Sequence, residues 1–147
     1  MNRKDRRALA KAQFLAVKPR VITVPHPLGE GTISLRQLTL RTRLDMQDAL
    51  YANITAVDAY EADQELPQDE REGIDPVKRF DHTLLTILFS IADLDGELMF
   101  TITDYDALEQ LPHPMIEYLW REVVGLNTLK SAVEDREHVE ELKKSSD

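Results

Sequence analysis

The side chains able to do chemistry are few in kind and poorly grouped. The 147 residues hold His26, His82, His113 and His138 and no cysteine. No two histidines fall at i,i+4, the spacing that would set two imidazoles on one helix face for a zinc ion. Without cysteine there is no thiolate ligand, no disulfide and no thiol nucleophile. His113, just before Pro114, reads as a helix-opening residue, and His82 as a satisfied histidine beside an apolar helix face. The run Asp93-Leu94-Asp95-Gly96-Glu97 invites a calcium test. Setting Gly96 at position 6 of an EF-hand loop puts Ile91 at position 1 and Ile102 at position 12, where ligating oxygens are required. The run therefore reads as a turn. Carboxylates abound, with 27 Asp and Glu, but acid–base catalysis needs two of them in contrasting environments within one cleft. No spacing marks such a pair. G-x-S-x-G, P-loop and G-x-G-x-x-G patterns are absent, and five glycines are too few for a phosphate cradle. The expectation is a non-enzymatic protein with no catalytic residue, metal or cofactor.

The elements around these residues follow from propensity and periodicity. Residues 3–16 favour helix, with a thin apolar stripe of Leu9, Ala12 and Ala16 flanked by Phe14 and Leu15, ended by Pro19. Val21–Val24 and Thr32–Leu35 read as two strands of a hairpin, separated by Pro25, Pro27 and Gly29. Thr39 caps a long helix to about Glu61, in which Leu44, Ala49, Leu50, Ile54, Val57 and Tyr60 recur near helical spacing. Residues 61–75 read as an exposed acidic loop. Asp75-Pro76 opens the most buried helix, carrying Val77, Phe80, Leu84, Leu88 and Ile91 to about Ala92. Leu98–Ile102 reads as a short strand, and Thr103 with Asp106 caps a short helix to Gln110. Pro114 opens a further helix with Ile116, Leu119, Trp120 and Val123 on its apolar face, closed at Gly125-Leu126-Asn127. Trp120 reads as core, with an anchor for a partner helix as the functional alternative. Residues 132–143 form a charged helix with Val133, Val139 and Leu142, a stripe that either folds back or docks a partner. The fold class is mainly α: a helical domain with a small N-terminal β-hairpin and room for one further short strand.

Charge divides the chain. Residues 1–20 carry seven basic side chains against Asp5 alone, a net +6; with −9 overall, residues 21–147 carry −15. Residues 1–20 thus form a basic arm or helix, 21–130 the core domain, and 131–147 a charged helix and tail. A basic head on an acidic body reads as a solvated helix or a detachable arm. Nucleic acid is disfavoured, because the body repels phosphate and no aromatic platform accompanies the arm. The longest apolar run, Leu84 to Ala92, is broken by Thr86 and Ser90 and is too short for a membrane span. The N-terminus lacks the apolar core of a signal peptide.

The order of segments from about Val21 to Asp147 resembles the tail assembly chaperones of long-tailed, siphovirus-type bacteriophages. A short β opening leads to Ser34-Leu35-Arg36-Gln37-Leu38-Thr39, similar to the family's "L-R-E-L-T" run into a long helix. Ile91-Ala92-Asp93-Leu94-Asp95-Gly96-Glu97-Leu98-Met99-Phe100 is similar to "L-x-D-E-D-G-K-R-L-F", and Thr103-Asp104-Tyr105-Asp106-Ala107-Leu108 to "T-D-E-D-V-E-A-L". Met115 to Asn127 resembles the closing helix, which ends in Leu-Asn. Gln37 departs from the pattern at a position where an acidic residue is common, and 61–75 is longer than the family's segment. Residues 1–20 lie mostly outside the match.

The resemblance implies a non-enzymatic role in the host cell cytoplasm. Such proteins bind the tape measure protein, help recruit tail tube subunits and are absent from the mature virion. It also implies a longer form made by ribosomal frameshifting near Leu142-Lys143-Lys144. Candidate client contacts are Leu44, Leu50, Ile54, Trp120, Val139 and Leu142. Homo-oligomerisation stays open. The competing readings are another tail or head–tail connector protein, and a small hydrolase or metal-dependent enzyme with dispersed ligands.

Overall fold

A computed structural model describes residues 1–129. The helix expected over 132–143, with Val133, Val139 and Leu142, lies outside them. The described chain runs α1 (Arg3–Leu15), β1 (Val21–Pro25), β2 (Thr32–Arg36), α2 (Leu40–Glu65), α3 (His82–Leu88), β3 (Ile91–Ala92), α4 (Tyr105–Glu109) and α5 (His113–Leu126). It is mainly helical with one small antiparallel sheet in the order β1-β2-β3.

The hairpin forms as its β-branched runs demand. Val21 pairs with Arg36 and Pro25 with Thr32. Pro25 is tolerated because β1 is an edge strand. The third strand is Ile91–Ala92, paired to Leu35 and Ser34, and not the 98–102 segment, which contributes one bridge from Leu98 to Ala92. The turn between them is built by Asp93, whose Oδ1 accepts from the Asp95 and Glu97 amides at 2.8 and 3.1 Å. Gly96 takes φ +82°, a conformation that costs a side-chain-bearing residue about 1–2 kcal/mol.

Thr39 caps α2 through its hydroxyl, which accepts from the Thr42 amide at 3.1 Å. The helix continues one turn past Glu61, to Glu65. Its buried residues are Thr42, Met46, Asn53, Val57 and Asp63. Three of these five are polar, and two of them tether other segments. The Asp63 carboxylate accepts from the Glu72 and Ile74 amides at 2.7 and 3.3 Å. The acidic 61–75 stretch is therefore part helix and part strap pinned by a buried side chain, not a free loop.

The expected helix from Pro76 to Ala92 is the largest correction. Helix is confined to His82–Leu88, and residues 71–80 are not helical. Backbone groups that a helix would use internally are taken by side chains. Asn53 donates to the Lys78 carbonyl and accepts from the Phe80 amide, both at 2.8 Å. The Tyr105 hydroxyl accepts from the Asp81 amide at 2.6 Å. Asp81 then caps α3, accepting from Leu84 at 2.9 Å. At the other end, Ile91 and Ala92 leave the helix to pair with β2.

The core joins the sheet to α3, α4 and α5. Leu35, Leu85, Ile87, Leu88 and Leu119 are fully enclosed, with Tyr105 beside them. Burial of each such aliphatic side chain stabilises by about 1.5–3 kcal/mol. The α4 segment is opened by Thr101, whose amide donates to Asp104 Oδ2 at 2.8 Å, and not by the expected Thr103–Asp106 pair. Along α5, Met115, Leu119, Val123 and Leu126 are buried, a stripe shifted from the expected one. Trp120 stands half-buried against the core, not within it. Asn127 is the C-cap, while Gly125 stays helical.

An apolar cleft as the candidate functional site

A mostly apolar concave feature lies between the sheet and α4–α5. Its volume is about 520 Å³, within the range of small-ligand and side-chain pockets. Ile33 of β2 with Ile91 and Ala92 of β3 form one wall. Leu108 of α4, Leu111 of the following link, and Met115 and Leu119 of α5 form the other. Leu94, Met99 and Phe100, from the turn after β3 and the chain beyond it, stand at the edge. Leu94 is 91% and Met99 53% exposed. Large apolar groups left in water at a cleft mark a contact surface.

Two ionisable side chains line the cleft, His26 and Asp93, and both serve the backbone. The His26 Nδ1 accepts from the Leu28 amide at 3.2 Å, and its ring covers Gly29 so closely that a Cβ there would sit 3.1 Å from it. Asp93 Oδ1 is held by its own turn. Among the described residues, no three His, Asp or Glu side chains are grouped to hold a metal ion. No described helix is long and apolar enough to cross a membrane.

The residues singled out from the sequence are placed elsewhere. Leu44 and Leu50 are half-buried on α2, Ile54 is 37% exposed on the same helix, and Trp120 is on α5. None of these four lines the cleft, and Val139 and Leu142 lie outside the described residues. His82 is exposed at the start of α3 instead of satisfied beside the core. It borders a second, more polar hollow of about 500 Å³ with Arg43, Gln47 and Asn127. His113 opens α5 as expected and pairs with Glu117 at 2.8 Å on the surface. The cleft escaped periodicity because three separated segments build it. The signal available was local: Leu94 inside a turn of acids, and Met99-Phe100 just after it.

Neither a protein-family model nor a curated protein matches the sequence. One solved structure is similar. It is the bacteriophage HK97 tail assembly chaperone, at a TM-score of 0.48 and 12% identity, over 84% of this chain and 99% of that one.

The segments quoted from the sequence pattern meet in space. Gln37 and Leu38, which follow β2, bond to the end of α5: Gln37 Nε2 donates to the Leu126 carbonyl and the Leu38 amide to Asn127 Oδ1, both at 2.9 Å. These residues build a joint, and Asp93 and Leu94 of the turn after β3 line the cleft.

Proposed function

We propose that this chain is a non-enzymatic chaperone of bacteriophage tail assembly, and that the cleft between the sheet and α4–α5 takes apolar side chains of the tape measure protein. The observation that carries the reading is the cleft itself: an open apolar hollow whose two ionisable lining residues are committed to backbone bonds. Such a surface suits an amphipathic helix inserting aliphatic anchors. The ordered segments from Val21 onward supply the family context. In this reading the acidic surface keeps the protein soluble, and affinity comes from buried apolar area, since exposed ion pairs contribute little. The protein acts in the host cell cytoplasm, helps recruit tail tube subunits and leaves before the virion is complete. A frameshifted longer form accompanies it, an idea that fails if the gene has no slippery heptamer near Leu142-Lys143-Lys144.

Co-purification tests the reading. The full chain and the tape measure protein should elute together at micromolar concentration, and Met99→Glu should separate them while leaving the fold intact. Separate elution of the unaltered pair, with tails assembling in the protein's absence, defeats the proposal. Retention of the protein in finished particles would favour a tail or head–tail connector role instead.

A further inference from the structure

Asp93 is held in place through one of its two carboxylate oxygens. Oδ1 accepts from the Asp95 and Glu97 amides at 2.8 and 3.1 Å. The Asp93 amide donates to the Glu97 carbonyl at 2.8 Å, and its carbonyl accepts from the Gly96 amide at 3.0 Å. Swinging the carboxylate aside gives up both Oδ1 bonds, so its position is set before anything binds. Oδ2 accepts no hydrogen bond from the described residues.

Among the described residues, no positive charge answers this carboxylate. Asp93 forms no ion pair there, and no Lys or Arg lines the cleft. His26, the other ionisable lining residue, accepts from the Leu28 amide at Nδ1, so that nitrogen carries no proton. Arg36 donates to the Gly96 carbonyl at 3.3 Å but stands outside the lining. Val21, which follows the basic arm, lies against Gly96. Lys18 and Arg20 of that arm nevertheless pair with no described carboxylate.

We infer that Asp93 selects which segment the cleft accepts: aliphatic anchors with a Lys or Arg beside them, whose cation pairs with Asp93 Oδ2. This rests on the chaperone reading for the identity of the client and goes beyond it in what the client must carry. Asp93 lines the cleft together with the exposed Leu94 and Met99. A segment seated on those two side chains strips water from the neighbouring carboxylate. Two backbone amides offset only part of that loss, and a cation supplied by the occupant offsets the rest. Apolar contact supplies most of the affinity, while the charge pair supplies choice and register. A segment with Asp or Glu at the same place sets two like charges together in a partly dry site and is turned away.

Asp93→Asn isolates the charge, because an asparagine keeps an Oδ1 for the two amides and should retain the turn and the melting temperature. Asp95→Asn is its control: it removes the same charge from the same turn but outside the lining. The full chain is titrated with the tape measure protein and with two synthetic amphipathic helices that share one leucine face, flanked by Lys in one and by Glu in the other. The unaltered protein should prefer the Lys helix. Asp93→Asn should weaken binding of the tape measure protein and of the Lys helix by about threefold to tenfold, whereas Asp95→Asn should stay within about twofold. The contribution of Asp93 should shrink on going from about 50 to about 500 mM salt. Equal effects of the two variants would assign the preference to net charge and overturn the inference. So would a preference for Lys that emerges only in Lys18→Gln/Arg20→Gln, since the chain's own arm would then be the partner of Asp93. Tape measure binding that is lost in Met99→Glu but unaltered in Asp93→Asn defeats this inference and leaves the chaperone reading standing. Discrimination between the two helices through Asp93, without any tape measure binding, does the reverse. Binding of neither probe overturns both.

Discussion

The Gln37 side chain donates through Nε2 to the Leu126 carbonyl at 2.9 Å and accepts through Oε1 from the Arg20 amide at 2.7 Å. One amide thereby ties the root of the N-terminal arm, the exit of β2 and the last turn of α5. The joint requires a donor and an acceptor on the same side chain, which a carboxylate cannot supply. This gives a physical reason for glutamine here, where the resembling family often has an acid. Gln37→Glu should lower stability by about 1–3 kcal/mol, because the Leu126 carbonyl loses its donor and gains a facing charge. Urea denaturation at pH 7 measures it. Protonation restores a donor to the introduced carboxyl, so the deficit should shrink below about pH 4.3. A deficit equal at both pH values would contradict this account.

Elements whose signals are local were legible in the sequence. The hairpin, the Thr39 cap, the turn at Gly96 and α5 each follow from nearby residues and were expected within a few positions. The segment 76–81 was not legible, because its backbone is held by Asn53 and Tyr105, which lie 25–27 and 24 residues away in sequence. Asp75-Pro76 is a sound helix opening in isolation and loses to those bonds. The cleft was hidden for a related reason: Ile33, Met99 and Leu111 share no periodic segment, and only the packing of α4 and α5 on the sheet brings them together.

The bracket formed by Asn53 should be costly to remove. Asn53 is 8% exposed, and both its amide oxygen and nitrogen are used by the 78–80 backbone. Asn53→Ala leaves a carbonyl and an amide without partners and should destabilise by about 2–4 kcal/mol. Asn53→Asp keeps the acceptor for Phe80 but sets a charge against the Lys78 carbonyl, so it should not rescue. Trp120 fluorescence during denaturation reads both. An aspartate variant as stable as the unaltered protein would remove the donor from the explanation.

Tyr105 adds a pH dependence of defined sign. It is 2% exposed, lies 4.3 Å centroid to centroid from Phe80, and accepts from the Asp81 amide. Burial pushes the phenol above its ordinary value of 10.0, with the Asp81 amide opposing and the Glu109 and Asp81 carboxylates adding to the rise. The native state thus holds a proton that the unfolded chain releases. The associated stability is complete below about pH 10 and is lost as pH rises through the native value. Tyr105→Phe gives up one hydrogen bond, a loss of about 1 kcal/mol at pH 7. The gap between the two proteins should narrow above pH 10, as seen in denaturation midpoints taken across pH 8 to about 11. A gap that stays constant with pH would assign the loss to packing alone.

On the proposed chaperone reading two surfaces are candidates for the client, and one pair of variants separates them. Ile54 on α2 was marked by helical spacing; Met99 was found at the cleft. Both side chains are partly exposed, at 37 and 53%, so an introduced glutamate should cost the fold less than about 1 kcal/mol at either place. Placed where an apolar anchor must seat, the same carboxylate is desolvated without a partner and should weaken binding by tenfold or more, about 1.4 kcal/mol. Titration calorimetry with the tape measure protein should show that loss for Met99→Glu and near-unaltered affinity for Ile54→Glu. The reverse ranking would move the client from the cleft to α2, because the two variants share charge and size and differ only in position.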